Sequence, residues 1–217
     1  ILKDQLKIEG SSVLLMAYTN RAVDEICSKL DKDGFDFVRF GHASSCDERF
    51  AKYLLSNRVA DCNNVSQMRD FIVRTRVFVG TTTAVSSLQR IFTIKRFDLA
   101  IVDEASQILE PSIVGLLSAV SAVGSEPVCA INKFVLIGDH KQLPAVVAQT
   151  EAESRIVEPS LRKLGFESCS ESLFQRLLRL YNDNAQVVYT LKNHGRMHPD
   201  VADFVNRAFY GGNLQPI

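Results

Sequence analysis

Short apolar runs rich in β-branched residues recur along the chain, each cut off by polar residues. Those over 13–18, 36–40, 76–80, 99–102, 134–137 and 186–191 read as strands. Runs of this length without alternation suit strands buried on both faces of a parallel sheet. Helical spacing predicts a helix over 20–30, with Ala22, Val23, Ile26, Cys27 and Leu30 on its inner face. A second amphipathic helix is predicted over 170–180 on Leu173, Phe174, Leu177 and Leu180, with Ser170 as its N-cap and Glu171 in its first turn. A third runs from Pro199 to about Ala208, with Val201, Phe204 and Val205 inward. Residues 1–9 read as the tail of a helix stopped by Gly10, and no capping residue precedes Ile1, so this helix is expected to begin before the chain does.

Residues 43–72 are polar with a sparse apolar stripe of Phe50, Tyr53, Leu54 and Leu55, which suggests a helical excursion from the sheet. Residues 121–132 read as a loop and 148–170 as a surface connection. No repeat or low-complexity segment interrupts the alternation of strands and helices, which argues for a doubly wound α/β fold.

Composition narrows the function classes. With 217 residues, 46% apolar and 23% charged, the chain can build a substantial globular core. Lys+Arg and Asp+Glu balance at 25 each, so a nucleic-acid partner must meet a local patch rather than a global basic field. Cys27, Cys46, Cys62, Cys129 and Cys169 are scattered, with no C-x-x-C pair and no zinc spacing. Reduced thiols in an intracellular protein are the expectation, the compartment being the cytoplasm in a bacterium, with the nucleus open as an alternative in a eukaryote. No apolar run approaches the roughly 20 residues of a membrane span.

Two of the runs end in chemistry. Leu99-Ala100-Ile101-Val102 runs into Asp103-Glu104-Ala105-Ser106-Gln107, and Phe134-Val135-Leu136-Ile137 into Gly138-Asp139-His140-Lys141-Gln142-Leu143-Pro144. Ligands of open α/β sheets bind just beyond such strand ends. An Asp-Glu pair there suits a nucleotide hydrolase: one carboxylate holds Mg²⁺, the other takes a proton from the attacking water. Alone, the pair fits a solvated turn about as well. Gln142 changes the balance, because a neutral amide can sense a γ-phosphate or orient water without repelling it.

These segments resemble motifs II and III of the superfamily 1 helicases. Residues Val13 to Asp24, through Tyr18-Thr19-Asn20, are similar to motif Ia, and Val77 to Thr83 to the next nucleic-acid motif. Leu191 through Arg196-Met197-His198-Pro199 and on to Phe209-Tyr210-Gly211-Gly212-Asn213-Leu214 resembles motif IV and its sequel. The branch is the 5′-to-3′ type that includes nuclease-helicases of replication and the helicase of nonsense-mediated decay. Tyr18-Thr19-Asn20 and Glu171 to Arg176 look more like the DNA nuclease-helicases.

The resemblance implies a RecA-like P-loop NTPase motor domain working on ATP and Mg²⁺. It assigns Asp103 to the metal, and Asp103, Gln142 and Arg196 to the nucleotide. It makes Asp103, Glu104, Gln142 and Arg196 the catalytic set. It gives Thr19, Asn20, Thr81, Thr82 and Thr83 to single-stranded nucleic acid, DNA favoured over RNA, in a motor expected to act as a monomer. An ordinary strand edge remains open for the three consecutive threonines. Residues 1–185 would then form most of the first motor domain, with 43–72 inserted, and 186–217 would lead into the second.

Two departures qualify the match. His194-Gly195 stands where the family usually has Gln-Tyr before the arginine, which bears on how the base is held. No Lys is followed by Ser or Thr, so the chain contains no Walker A loop, and motifs V and VI are likewise missing. These 217 residues alone are therefore expected to hydrolyse ATP negligibly, the loop lying upstream in a longer motor. An RNA helicase of the same branch and a degenerate, non-catalytic nucleic-acid-binding module are the competing readings.

Overall fold

The computed structural model describes residues 1–123, 126–182, 184–195 and 197–216. In chain order, helix α1 (Leu2–Gln5) precedes strand β1 (Val13–Ala17), helix α2 (Asn20–Lys32) and strand β2 (Val38–Arg39). 3-10 turns at Ala43–Ser45 and Glu48–Tyr53 lead to α3 (Leu55–Arg58) and α4 (Val65–Arg74), then β3 (Val77–Thr81) and α5 (Thr82–Ser87). After a 3-10 turn at Gln89–Thr93 come β4 (Leu99–Asp103), another at Ala105–Gln107, and α6 (Glu110–Leu117). A small antiparallel pair, β5 (Val120–Ser121) with β6 (Val128–Cys129), precedes β7 (Phe134–Leu136). Helices α7 (Glu151–Ser154), α8 (Pro159–Lys163) and α9 (Leu173–Tyr181) follow. The last elements are β8 (Asn193–His194), α10 (Pro199–Phe209) and β9 (Gln215–Pro216), with β8 and β9 paired in parallel apart from the main sheet.

Five strands form that sheet in the order β2-β3-β1-β4-β7, every pairing parallel. Side chains alternate across it, as the period of two requires. Leu14, Met16, Phe78, Ala100 and Val102 bury one face against α5, α6 and α9, with Val85, Ile113, Leu116 and Leu173 among their partners. Val13, Leu15, Val77, Val79, Leu99 and Ile101 bury the other against Val23, Cys27 and Leu30 of α2 and against Phe50. The sheet is covered on both sides, which is why its strands read as unbroken apolar runs.

The parallel register puts all the carboxyl ends on one edge, where Ala17 pairs with Thr81 on one side and Asp103 on the other. From β1 the chain crosses by α2 toward β2; from neighbouring β4 it crosses by α6 toward β7, on the opposite face and in the opposite direction. The gap between the ends of β1 and β4 is therefore a topological switch point, where open α/β sheets hold ligands.

Several expected elements differ. The helix over 1–9 is a single turn, α1, because the Arg76 guanidinium takes the carbonyls of Leu6, Ile8 and Ser11 instead of leaving them to a helical ladder. Residues 121–132 carry the β5–β6 pair across Gly124 and Ser125, which lie outside the described residues, and 148–170 contains α7 and α8. The expected strand over 186–191 is absent: Asn184 Oδ1 and its carbonyl take the N–H groups of Gln186, Val187 and Val188, and Val187, Tyr189 and Leu191 stand exposed. The N-cap of α9 is Ser172 rather than Ser170, in a reciprocal capping box with Gln175. On α10 Ala202 is buried, while Val201 and Phe204 point outward at 59% and 68% exposure.

Candidate functional site

Beyond their last paired residues, the ends of β4 and β7 remain joined. Ile137 N–H donates to Val102 O at 2.8 Å, and Ala105 N–H donates to Ile137 O at 2.8 Å. The two expected loops are thereby pressed together. Asp139 N–H donates to Ser106 Oγ at 3.3 Å. A Cβ on Gly138 would lie 2.9 Å from Ser106 N and 3.2 Å from its hydroxyl, so the glycine is what permits this approach. Sequence reading missed Ser106 as the contact between the two segments, although it lies within the first of them.

Asp103 closes β4 half-buried, its Oδ1 accepting Glu104 N–H at 3.1 Å. Among the described residues no Lys or Arg forms an ion pair with Asp103. Glu104 has φ 53, the sole non-glycine positive φ among the described residues, where a side chain costs roughly 1–2 kcal/mol. That turn lifts Glu104 out of the strand direction, and Gln107 Nε2 donates to its Oε2 at 3.4 Å. A glutamate kept where glycine or asparagine would relax the chain points to a use for its carboxylate.

Asp139 is the hub of the second loop. Its Oδ1 accepts Lys141 N–H at 2.9 Å, and its Oδ2 accepts Gln142 Nε2 at 3.1 Å and Tyr210 Oη at 2.5 Å. Burial acts to raise its pKa and is the largest single influence. The hydrogen bonds from Tyr210, the Lys141 backbone and Gln142 together outweigh it and hold the carboxyl below its ordinary value. The same contact, after burial, pushes the Tyr210 phenol up to about 12. Tyr210 lies in the segment that resembles the sequel of motif IV but was not among the expected site residues; its contact with a partner 71 residues away leaves no local signal.

On the other side of the switch point, Thr19 caps α2 by accepting Ala22 N–H at 3.2 Å, and Thr19 and Asn20 are exposed at the end of β1. Thr81 caps α5 in the same way, accepting Ala84 N–H at 3.1 Å. Thr81 and Thr82 are buried at 9% and 2% exposure, leaving Thr83 exposed. The first two threonines thus shape the turn in this conformation, and only the third presents its side chain to solvent.

The helix after the acidic loop is anchored from behind. Arg176 on α9 grips Glu110, the first residue of α6, through Nε to Oε2 at 2.7 Å and Nη2 to Oε1 at 2.5 Å. Arg196 lies outside the described residues. His194 sits in β8, paired in register with Pro216.

No group of three or more His, Cys, Asp or Glu able to hold a metal is found among the described residues. A site with Asp103 as a single carboxylate still fits Mg²⁺, which keeps several waters and completes its shell with phosphate oxygens rather than with an all-protein cage.

Comparison with known proteins bears on this edge. Two protein families, both described as AAA domain, match residues 63–150 and 169–216. The chain is 34% identical over 208 residues to the DNA replication ATP-dependent helicase/nuclease DNA2 of Xenopus laevis, covering 95% of this chain and 17% of that protein. To the human protein of the same name it is 32% identical over 208 residues, with 95% and 17% covered. To the DNA replication ATP-dependent helicase/nuclease JHS1 of Arabidopsis thaliana it is 31% identical over 209 residues, with 96% and 13% covered. The chain spans less than a fifth of the length of these relatives.

Proposed function

The chain belongs to the superfamily 1 helicases, in the group of the DNA replication helicase/nucleases, and from that premise we propose that it forms part of a motor that hydrolyses ATP to move along single-stranded DNA and so unwind the duplex ahead of it. Residues 1–185 make most of its first RecA-like domain, with 43–72 inserted, and 186–217 lead into the second. The observation that carries this reading is the joined end of β4 and β7, which sets Asp103, Glu104 and the Gln142 loop beside the switch point of a parallel sheet.

Asp103 is the residue to hold Mg²⁺ on the phosphates. Glu104 accepts a proton from the attacking water, a role supported by the left-handed backbone that turns it out of the strand. Gln142 is exposed, and among the described residues its side-chain amide donates to Asp139 alone, so it can swing toward a γ-phosphate. Arg196 is the planar cation for the same phosphate. Bound Mg²⁺-ATP supplies the phosphoryl group and the charge neutralisation. On the neighbouring strand ends, Thr19, Asn20 and Thr83 offer hydroxyls, an amide and the N-terminus of α2 to a DNA backbone, contacts that grip without reading sequence. Work on DNA goes with an intracellular location, nuclear in a eukaryote.

Strand displacement tests the proposal. The full-length protein carrying this chain is expected to open a forked DNA duplex only with ATP and Mg²⁺. Thr19→Ala with Asn20→Ala is expected to weaken single-strand binding about thirtyfold, by roughly 1 kcal/mol for each of the two hydrogen bonds lost. Single-strand binding without displacement would leave a binding module, and displacement on RNA alone would make the substrate RNA.

A further inference from the structure

Asp139 Oδ2 receives two donors that come from different parts of the chain. One is Gln142 Nε2, three residues ahead in the same turn, at 3.1 Å. The other is Tyr210 Oη, from the residue that caps α10, at 2.5 Å. The turn that delivers the phenol is fixed on several sides. Asn206 Nδ2 donates to Leu214 O at 2.8 Å, Leu214 N–H donates back to Asn206 Oδ1 at 2.9 Å, and Asn213 Nδ2 donates to Tyr210 O at 2.9 Å. Gly211 and Gly212, at φ 60 and 77, allow the chain to fold back that tightly. The backbone that carries the phenol is therefore tied in place by three hydrogen bonds.

We propose that Tyr210 is a positioning residue for Gln142, acting through the carboxylate oxygen that both residues share. With Tyr210 bonded, Asp139 is fixed and carries part of its hydrogen bonding from α10, so the Gln142 amide is only loosely retained and is free to turn to a γ-phosphate. With Tyr210 withdrawn, Oδ2 loses its shorter bond and draws Gln142 back. Movement of the α10 segment and the attitude of the glutamine are thus linked through one oxygen atom. The inference rests on the role proposed for Gln142 at the phosphate.

Tyr210→Phe removes the hydroxyl and keeps the ring, and two readouts separate the possibilities. In the 217-residue chain, the Gln142 side-chain amide resonances are expected to shift in Tyr210→Phe while the backbone spectrum outside the 138–142 and 206–214 segments is unchanged. In the full-length protein, Tyr210→Phe is expected to lower the hydrolysis kcat roughly tenfold with KM for ATP within twofold, and to have no further effect in a Gln142→Ala background. Unmoved Gln142 resonances would overturn the inference whatever the protein hydrolyses. So would equal losses from Tyr210→Phe with and without Gln142. Shifted resonances together with a fully active Gln142→Ala protein would keep the hydrogen-bond link but end the role given to Gln142.

Discussion

At the scale of single residues, the junction between β4 and β7 depends on a missing side chain. Gly138→Ala would push a methyl against the Ser106 backbone, which cannot rotate away. The expected cost is about 1–3 kcal/mol, read as a lowered denaturation midpoint. Lys95 makes a different kind of demand. It is 7% exposed, donates to Val73 O at 2.9 Å and lies over the rings of Phe78 and Phe97. Burial pulls its ammonium down to about 8, despite the nearby Asp98. The unfolded chain then binds more protons than the folded one between about 8 and the ordinary lysine value, so stability rises with pH across that window. Between pH 7 and 10, wild type is expected to gain about 2–3 kcal/mol relative to Lys95→Met. Denaturant titrations of both proteins at the two pH values measure this difference.

Elements were legible in the sequence where one local rule decided them. The runs ending at Ala17, Thr81, Asp103 and Leu136 became strands because two covered faces demand unbroken apolar residues. The acidic and glutamine loops were visible for the same reason, since charge cannot continue a doubly buried strand. Where two rules compete, the sequence was ambiguous. Ser170 and Ser172 both precede an apolar helix, and only Ser172 has a glutamine three residues on to complete a capping box. Val187, Tyr189 and Leu191 alternate like a strand, but Asn184 turns the chain and no described strand receives them. Val201 and Phe204 share the helical spacing of a core face, yet the side of α10 nearest the protein is that of Ala202 and Asn206. The contacts of Arg176 with Glu110 and Tyr210 with Asp139 span 66 and 71 residues and lie beyond any local pattern. The first of these joins α9 to α6 with both side chains largely buried. Arg176→Met would leave the Glu110 carboxylate unpaired, at an expected cost of about 3–5 kcal/mol. Glu110→Gln paired with Arg176→Met is expected to recover part of that loss, and thermal denaturation of the single and double variants tests it.

At the scale of the whole molecule, a parallel sheet whose connections diverge at β1 and β4 brings two chemistries to one edge. Acids and an amide suited to nucleotide hydrolysis stand at the ends of β4 and β7. Exposed Thr19 and Asn20 stand beside them at the end of β1. In the motor proposed here that adjacency couples hydrolysis to the grip on DNA, and Tyr210 extends the coupling to α10. The direct test is steady-state ATP hydrolysis by the full-length protein, with and without single-stranded DNA, beside its Glu104→Gln variant. The account predicts strong stimulation by DNA in the wild type and a loss of at least a hundredfold in the variant, on the order of the contribution of a general base, with nucleotide binding retained. Equal hydrolysis by the two proteins, or none in either, would contradict it.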